Sequence, residues 1–261
     1  MKDRPNRAAA PRLVFLHLPR TGGTTLHQAW SLTFRLAEIC PERFARLHEY
    51  RPEEIAAYRF FSGHFRFDQF WSIPQPRFLV TVLRDPIERV LSLFEYWRSF
   101  RPGVIAEHDL LGPRLARERG LLGFLRSEEV EVTTSIDNAM VCHLAGDAMP
   151  VAGGFGTLTS EGRDRMAPET LLATAFTALR HFDCVGEIGS LQRVHDRVAA
   201  VFGMRPGPLP RVNAAHDASP FHEALPREQV TPAIMVELRR LTRLDRQLVL
   251  AARSDPGIRR A

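Results

Sequence analysis

The feature that most constrains the fold is a short apolar run that ends in a glycine-containing turn. Residues Leu13–Leu18 (LVFLHL) are stopped by Pro19, and two glycines, Gly22 and Gly23, follow. An apolar run of this length bounded by proline and glycine predicts a buried strand that enters a tight turn. Because the sequence from Thr24 to Leu36 predicts a helix, the chain opens with a strand–turn–helix unit.

A second unit repeats this plan further along the chain. Residues Phe78–Leu83 predict a strand, and a helix is predicted from Pro86 to about Phe100. Asp85 is suited to cap that helix, and proline is favoured at the first helical position. Glu88 lies three residues after the cap, so we expect its side chain to reach back to the N–H of Asp85.

Two such units predict an α/β fold with a central parallel sheet flanked by helices. Residues 39–76, of mixed character, join the units. A third strand is predicted at Phe182–Gly186, before a helix from Ser190 to Phe202, and the last helix runs roughly from Thr231 to Ala252. Ligands of such sheets bind at the carboxyl ends of the strands.

The remaining segments are predicted to connect these elements. Arg101–Ser127 predicts helical turns over the sheet edge, and Gly146–Gly162 predicts a mobile loop. Gly203–Pro226 is rich in proline, which is typical of a long loop that can close over a site. We expect residues 1–11 to form a flexible N-terminal arm and residues 12–261 a single domain.

Composition narrows the classes of function. The net charge is +5, but the basic residues are spread along the chain, so nucleic acid is not the expected partner. Cys40, Cys142 and Cys184 are too far apart to suggest a disulfide framework or a thiolate metal site. The early apolar run is too short to span a membrane, and we predict a cytoplasmic protein. The sequence indicates no oligomeric state.

The segment Pro19–Thr25 (PRTGGTT) predicts an anion-binding loop. It places backbone N–H groups, threonine hydroxyls and the Arg20 guanidinium at the N-terminus of a helix, where oxyanions bind. A nucleotide-hydrolysing P-loop would read G-x-x-x-x-G-K-[ST], and this segment lacks both that spacing and the lysine. Chemistry on Mg-ATP is therefore disfavoured.

Two further motifs follow this loop in order. They are Ser62–Phe67 (SGHFRF) and Arg84–Ser92 (RDPIERVLS). Together with a loop whose cation precedes its glycines, they resemble the sulfotransferases that use 3′-phosphoadenosine-5′-phosphosulfate (PAPS), and among them the heparan sulfate 2-O-sulfotransferase branch of the carbohydrate sulfotransferases. Weaker matches occur at residues 137–138, 185–187 and 212–213.

The resemblance implies a P-loop-like sulfotransferase fold, PAPS as donor with PAP as product, and no required metal. It implies that His64 is the catalytic base and that Arg20 neutralises the leaving phosphate. It also implies that PAPS is bound by Arg20, Thr21, Gly22, Gly23, Thr24, Thr25, Arg84 and Ser92.

These residue types suit those roles. The planar fork of Arg84 matches a phosphate, and Ser92, two helical turns on, adds a hydroxyl. An imidazole such as His64 titrates in the range needed to take a proton from an alcohol. His17 stands nearer to the loop in sequence, and we interpret it as a packed neighbour.

Two positions depart from the family pattern. Arg20 stands where the family usually has lysine, which keeps the charge but changes the reach of the donors. Ser62 stands where that branch has a second histidine. This difference weakens the inference that the chain acts on the particular substrate of that branch. Asn213 is a weaker candidate for contact with donor or acceptor.

We therefore expect in-line transfer of a sulfuryl group to a hydroxyl acceptor, a carbohydrate or another small molecule. Two alternatives stay open: a P-loop-like small-molecule kinase and a non-catalytic relative that binds PAP or another nucleotide. A set of arginines either lines a cleft for an acidic glycan or covers solvated helix faces, namely Arg66, Arg98, Arg101 and those from Arg114 to Arg126.

Overall fold

The computed structural model describes residues 10–146, 148–151, 154–157, 165–205, 207–209 and 219–261. Most of the predicted arm at residues 1–11 lies outside these ranges, as does Asn213. All the other predicted site residues lie inside them.

The centre of the fold is a sheet of four parallel strands in the order β2-β1-β3-β7. Its strands are β1 (Arg12–Leu16), β2 (Phe60–Gly63), β3 (Arg77–Leu83) and β7 (Cys184–Glu187). The predicted α/β class with a central parallel sheet is confirmed. Strand β2 was not predicted, and it places the residues that follow it beside the end of β1.

Helices cover both faces of this sheet. The α-helices are α1 Gly23–Ser31, α2 Pro52–Ala57, α3 Pro86–Arg98, α4 Pro102–Glu107, α5 Leu111–Leu125, α6 Val130–Ile136, α7 Ala139–Ala145, α8 Pro168–Leu179, α9 Leu191–Phe202, α10 Pro232–Leu241 and α11 Arg243–Ser254. Leu13 and Phe15 of β1 pack with α1 and α9, whereas Val14 and Leu16 pack with α7, α8 and α11. This alternation is the period-2 pattern of a strand buried on both sides.

Helices α3, α5, α6 and α10 form a separate apolar cluster. The prediction of helical structure in Arg101–Ser127 is confirmed by α4 and α5. Helix α5 consists of two helical segments that meet at Gly120, whose φ of 61° interrupts the regular helix. None of the described helices combines the length and apolar character that a membrane crossing requires.

The prediction of a single last helix from Thr231 to Ala252 is wrong, because the helix is interrupted at Thr242, which separates α10 from α11. The Asn138 side-chain oxygen accepts hydrogen bonds from the backbone N–H groups of Leu244 and Asp245, at 2.6 and 3.1 Å. In return, the Asp245 carboxylate accepts from two N–H groups at the start of α7. The two helix N-termini therefore cap each other, and this tertiary contact fixes the break.

The prediction of a mobile loop at Gly146–Gly162 is wrong where the structure describes these residues, because they form strands. Strands β4 (Ala148–Val151) and β5 (Gly154–Thr157) pair antiparallel, and β5 pairs with β6 (Arg165–Met166). Hydrogen bonding between neighbouring segments stabilises these strands, and the local glycine-rich composition gives no sign of it.

Candidate active site

The loop between β1 and α1 has the backbone form of an anion cradle. Gly22 is the N-cap of α1, with φ 84° and ψ 13°, and no side chain caps the helix. Arg20 has φ 68°, which is uncommon for a residue with a side chain. The first N–H groups of α1 have no partner within the helix. A turn of this kind directs successive N–H groups toward one point, where an anion can bind.

Gly23 lies directly against the ring of His17. A Cβ atom at Gly23 would lie 1.8 Å from His17 Cδ2 and 2.1 Å from His17 Nε2. The His17 ring is only 7% exposed, and its Nδ1 atom has no hydrogen-bond partner. His17 is thus a packed neighbour of the loop, and the space that it fills is the reason why only glycine fits at position 23.

Substituting Gly23 with alanine is expected to lower the free energy of unfolding by about 1–3 kcal/mol, because overpacking forces atoms apart. In the double variant Gly23→Ala/His17→Ala the clash is absent, so its loss should be smaller than the sum of the two single losses. Urea unfolding of the four proteins measures this coupling. Gly103→Ala, whose Cβ meets nothing within 4 Å, is the matched control. Additive losses in the double variant would contradict the predicted clash.

The threonines of the loop differ in orientation. The Thr21 side chain is fully buried, and its hydroxyl donates to the carbonyl oxygen of Leu18 at 2.8 Å. Thr24 and Thr25 line the cavity described below. Thr21 therefore braces the turn with its side chain and does not line the cavity.

Helix α3 positions the Arg20 guanidinium. Its Nε atom donates to Ser92 Oγ at 3.3 Å, and its Cζ atom lies 4.3 Å from the centre of the Tyr96 ring. Ser92 and Tyr96 are one helical turn apart and thus share a face of α3. Burial lowers the pKa of Arg20, but the group stays charged near neutral pH.

Arg84 joins the end of β3 to the loop. Its Nη1 atom donates to the carbonyl oxygen of Arg20 at 3.0 Å, and its Nη2 atom lies 3.9 Å from the Glu88 carboxylate. Asp85 caps α3 by accepting from the N–H of Glu88 at 2.9 Å, as predicted. The predicted bond from the N–H of Asp85 to the Glu88 side chain is not among the described contacts, and the Glu88 carboxylate faces Arg84 instead.

One cavity of about 990 Å³ collects these groups at the carboxyl ends of the strands. The chain places β2 and β3 on opposite sides of β1, so the strand order reverses there, which is where open α/β sheets bind ligands. The predicted residues that line the cavity are Arg20, Gly22, Gly23, Thr24, Thr25, His64, Arg84 and Ser92. In the described part of the chain, no group of three or more His, Cys, Asp or Glu side chains is placed to hold a metal ion.

His64 directly follows β2, and two backbone carbonyls hold it. Its N–H donates to the carbonyl oxygen of Arg43 at 2.7 Å, and its Nδ1 atom lies 2.6 Å from the carbonyl oxygen of His17. A carbonyl oxygen only accepts, so Nδ1 carries the proton and Nε2 of the neutral ring keeps a lone pair. Burial lowers the pKa of His64 below 6.5 despite the bond to His17, and the Arg43 charge lowers it further. The ring is thus a neutral base near pH 7.

Sequence reasoning missed several residues of the cavity wall. Among them are His143 of α7, Tyr96 of α3, and Arg227 and Val230 of the segment before α10. No local pattern marks these residues; the contact between His143 Nδ1 and the carbonyl oxygen of Phe65, at 2.9 Å, joins positions 78 residues apart. Only the tertiary fold brings them to the site.

The described end of the predicted long loop lies along α3. His222 forms a β-bridge with Phe100, and its ring lies 5.1 Å from that of Tyr96, the ring that also contacts Arg20. Glu223 donates its N–H to the carbonyl oxygen of Ser99 at 2.8 Å. This segment leads into Arg227, so it supports one wall of the cavity.

The arginines considered for an acidic glycan do not line this cavity. Most of them contact carboxylates or carbonyl oxygens: Arg66 with Asp68, Arg98 with Glu95 and Glu228, Arg101 with Ser219, Arg114 with Asp109, Arg117 with Glu223, and Arg126 with Glu237. The arginines that do line it are Arg20, Arg84 and Arg227. The geometry favours the interpretation that the first set covers surfaces away from the site.

Comparison with known proteins agrees with this geometry. The chain is 29% identical over 136 residues to a protein-tyrosine sulfotransferase of Arabidopsis thaliana. It is similar to a sulfotransferase. The aligned residues make up 51% of this chain and 26% of that relative, so the chain spans about a quarter of the relative's length. No family model matches the chain.

Proposed function

We propose that this protein transfers a sulfuryl group from PAPS to a hydroxyl acceptor, with His64 as general base. The observation that carries the proposal is the composition of one cavity. It joins a helix N-terminus with two left-handed residues, two arginines from segments that follow strands, and an imidazole whose Nε2 atom has no described hydrogen bond. Anion binding and proton removal are the two tasks that sulfuryl transfer requires.

The cavity is proposed to hold the two anionic groups of PAPS at adjoining positions. The N–H groups of the loop and Arg20 suit the 5′-phosphosulfate, and Arg84 with Ser92, which accepts from Arg20 Nε, suits the 3′-phosphate. A guanidinium bonded to a phosphate contributes about 1.5–3 kcal/mol. The volume of about 990 Å³ also suits a nucleotide together with a small acceptor. When bound, PAPS supplies the sulfuryl group, and PAP is the leaving group.

His64 performs the proton transfer in this mechanism. Its Nε2 atom takes the acceptor proton as the acceptor oxygen bonds to sulfur and the bond between sulfur and the bridging oxygen breaks. The Nδ1–H group, bonded to the carbonyl oxygen of His17, holds the ring and stabilises the imidazolium that forms. Arg20 and the loop N–H groups neutralise the charge that develops on the departing phosphate.

The acceptor is proposed to be a carbohydrate, as the sequence resemblance implies. The name of the Arabidopsis relative suggests tyrosine as the competing acceptor. A transfer assay with labelled PAPS distinguishes the two acceptors. It offers neutral glycans, acidic glycans, tyrosine peptides, lipid headgroups and small phenols. Transfer to a glycan supports the carbohydrate proposal, and transfer to tyrosine peptides alone would replace it. If none of these acceptors becomes labelled, the result would contradict sulfotransferase activity.

PAP is expected to raise the melting temperature of this protein, whereas ATP with Mg²⁺ is not. A ligand at about one hundred times its Kd stabilises the folded state by about 2.7 kcal/mol. Differential scanning fluorimetry measures the effect. Arg84→Ala should abolish the stabilisation by PAP, and Arg114→Ala, on the surface, should preserve it. Stabilisation by ATP with Mg²⁺ and not by PAP would favour the kinase alternative.

We also propose a cytoplasmic location and a single domain from residue 12 onward. The three cysteines are buried and unpaired, as expected for a reducing compartment. Burial raises the pKa of Cys40 and of Cys184 to about 11, so both thiols are unreactive near neutral pH. Cell fractionation and limited proteolysis test the two proposals.

A further inference from the structure

Three imidazoles line the cavity, those of His17, His64 and His143, and the mechanism above does not use that of His143. His143 projects from α7 into the same cavity as His64. Its Nδ1 atom lies 2.9 Å from the carbonyl oxygen of Phe65, the residue after His64. Because a carbonyl oxygen only accepts, Nδ1 carries the proton and Nε2 keeps its lone pair. No described hydrogen bond engages that Nε2 atom.

The imidazoles of His64 and His143 are therefore held in the same way and present the same kind of atom. Each binds a backbone carbonyl through Nδ1, and each offers Nε2 as a hydrogen-bond acceptor. Both are neutral near pH 7, since burial lowers the pKa of His64 below 6.5 and that of His143 to about 4. A neutral Nε2 attracts an O–H group and repels a carboxylate or a sulfate.

Nearby cations do not reverse this preference. Arg66 pairs with Asp68, Arg43 contacts His27, and Arg89 is fully buried; none of the three lines the cavity. The cations that line it are Arg20, Arg84 and Arg227, and the charge of Arg227 lowers the pKa of Arg84, so all three belong to the anion-binding end. The end of the cavity that carries His64 and His143 thus matches an uncharged group with two hydroxyls.

The contacts also relate the imidazoles of His64 and His143 to the donor end. The His17 ring packs on Gly23 of the loop, and the His64 ring lies 4.4 Å from the His17 ring. His143 reaches the chain one residue beyond His64. His64 is thus linked to the loop through His17, whereas the described contact of His143 goes to the residue after His64.

We propose that His143 is an acceptor-binding residue whose Nε2 atom accepts a hydrogen bond from a hydroxyl adjacent to the one that is sulfated. The inference rests on the proposed function and gives it a substrate class, an uncharged vicinal diol such as a sugar ring carries. His143 thereby fixes which of two neighbouring hydroxyls lies against His64.

The test uses cyclohexane-1,2-diol, as its cis and trans isomers, and cyclohexanol, which differs only in lacking the second hydroxyl. Binding to the protein, with PAP and without it, is measured by ligand-observed NMR. At least one diol isomer is expected to bind wild type about tenfold more tightly than cyclohexanol, the effect of one hydrogen bond. His143→Ala should remove this preference and leave cyclohexanol binding unchanged, and His143→Gln, which keeps an acceptor oxygen, should restore part of it.

The controls separate this inference from the proposed function and from a folding defect. The exposed His108 gives the matched variant His108→Ala, which should retain the preference. Melting temperatures and PAP affinity of all variants report on folding. Equal binding of diol and cyclohexanol to wild type, or an unchanged preference in His143→Ala, would overturn the role of His143. Failure of PAPS transfer with an intact diol preference would instead overturn the proposed function alone.

Discussion

Replacing His64 with alanine is expected to lower kcat by at least about a hundredfold, because a positioned general base contributes about 10²- to 10⁴-fold. The affinity for PAP should stay within about twofold of wild type, since the described hydrogen bond of the ring goes to the carbonyl oxygen of His17 and not to the anion loop. Steady-state transfer assays and calorimetric titration with PAP measure the two quantities.

The control for this variant is His48→Ala, at an exposed histidine outside the cavity, which should leave kcat unchanged. The pH profile adds a second readout. A base acts when deprotonated, so wild-type kcat/KM should fall on acidification, with an apparent pKa below 6.5, in the direction of the shift at His64. Unchanged turnover in His64→Ala, or loss of PAP binding equal to the loss of turnover, would contradict the assigned role.

Arg20→Ala is expected to lower kcat by about 10²- to 10³-fold, the usual cost of removing a donor that stabilises developing charge. Arg20→Lys should stay within about tenfold of wild type, because lysine restores the charge but not the fork that donates to Ser92 and stacks on Tyr96. Initial rates at saturating PAPS and acceptor give both values.

Folding must be separated from catalysis at this position, because the Arg20 side chain packs on α3. Urea unfolding of each variant provides that measurement, and Arg239→Ala, at an exposed position of α10, is the matched control for loss of a positive charge. Full activity of a folded Arg20→Ala variant would remove Arg20 from the mechanism. A KM effect with unchanged kcat would confine it to ground-state binding.

The helices and strands that could be predicted from the sequence are those whose structure is determined by their own residues. Strand β3 is a near-continuous apolar run, and the start of α3 carries its own cap in Asp85. Strand β2 was missed because its four residues, FFSG, are too few to show a period and are stabilised by pairing with β1. The break at Thr242 was missed because the residue that caps α11, Asn138, lies more than 100 positions away.

The candidate site shows the same division. The loop around Arg20 and the start of α3 were visible because each is a short segment whose chemistry is complete in itself. His143 and Arg227 were not visible, because nothing near them in sequence shows that they line the cavity. Thr21 was assigned to the ligand from its place in the loop, but its buried hydroxyl is committed to Leu18. A sequence lists donors without showing which way they point.

Two of the imidazoles that line the cavity, those of His64 and His143, are oriented by the main-chain carbonyls of His17 and Phe65 and not by acidic side chains. No single codon change can delete a peptide carbonyl. The orientation of the base is thus shielded from point mutation in a way that a histidine paired with an aspartate is not. Substitutions at position 65 that the packing allows would therefore keep the proton of His143 on the same nitrogen.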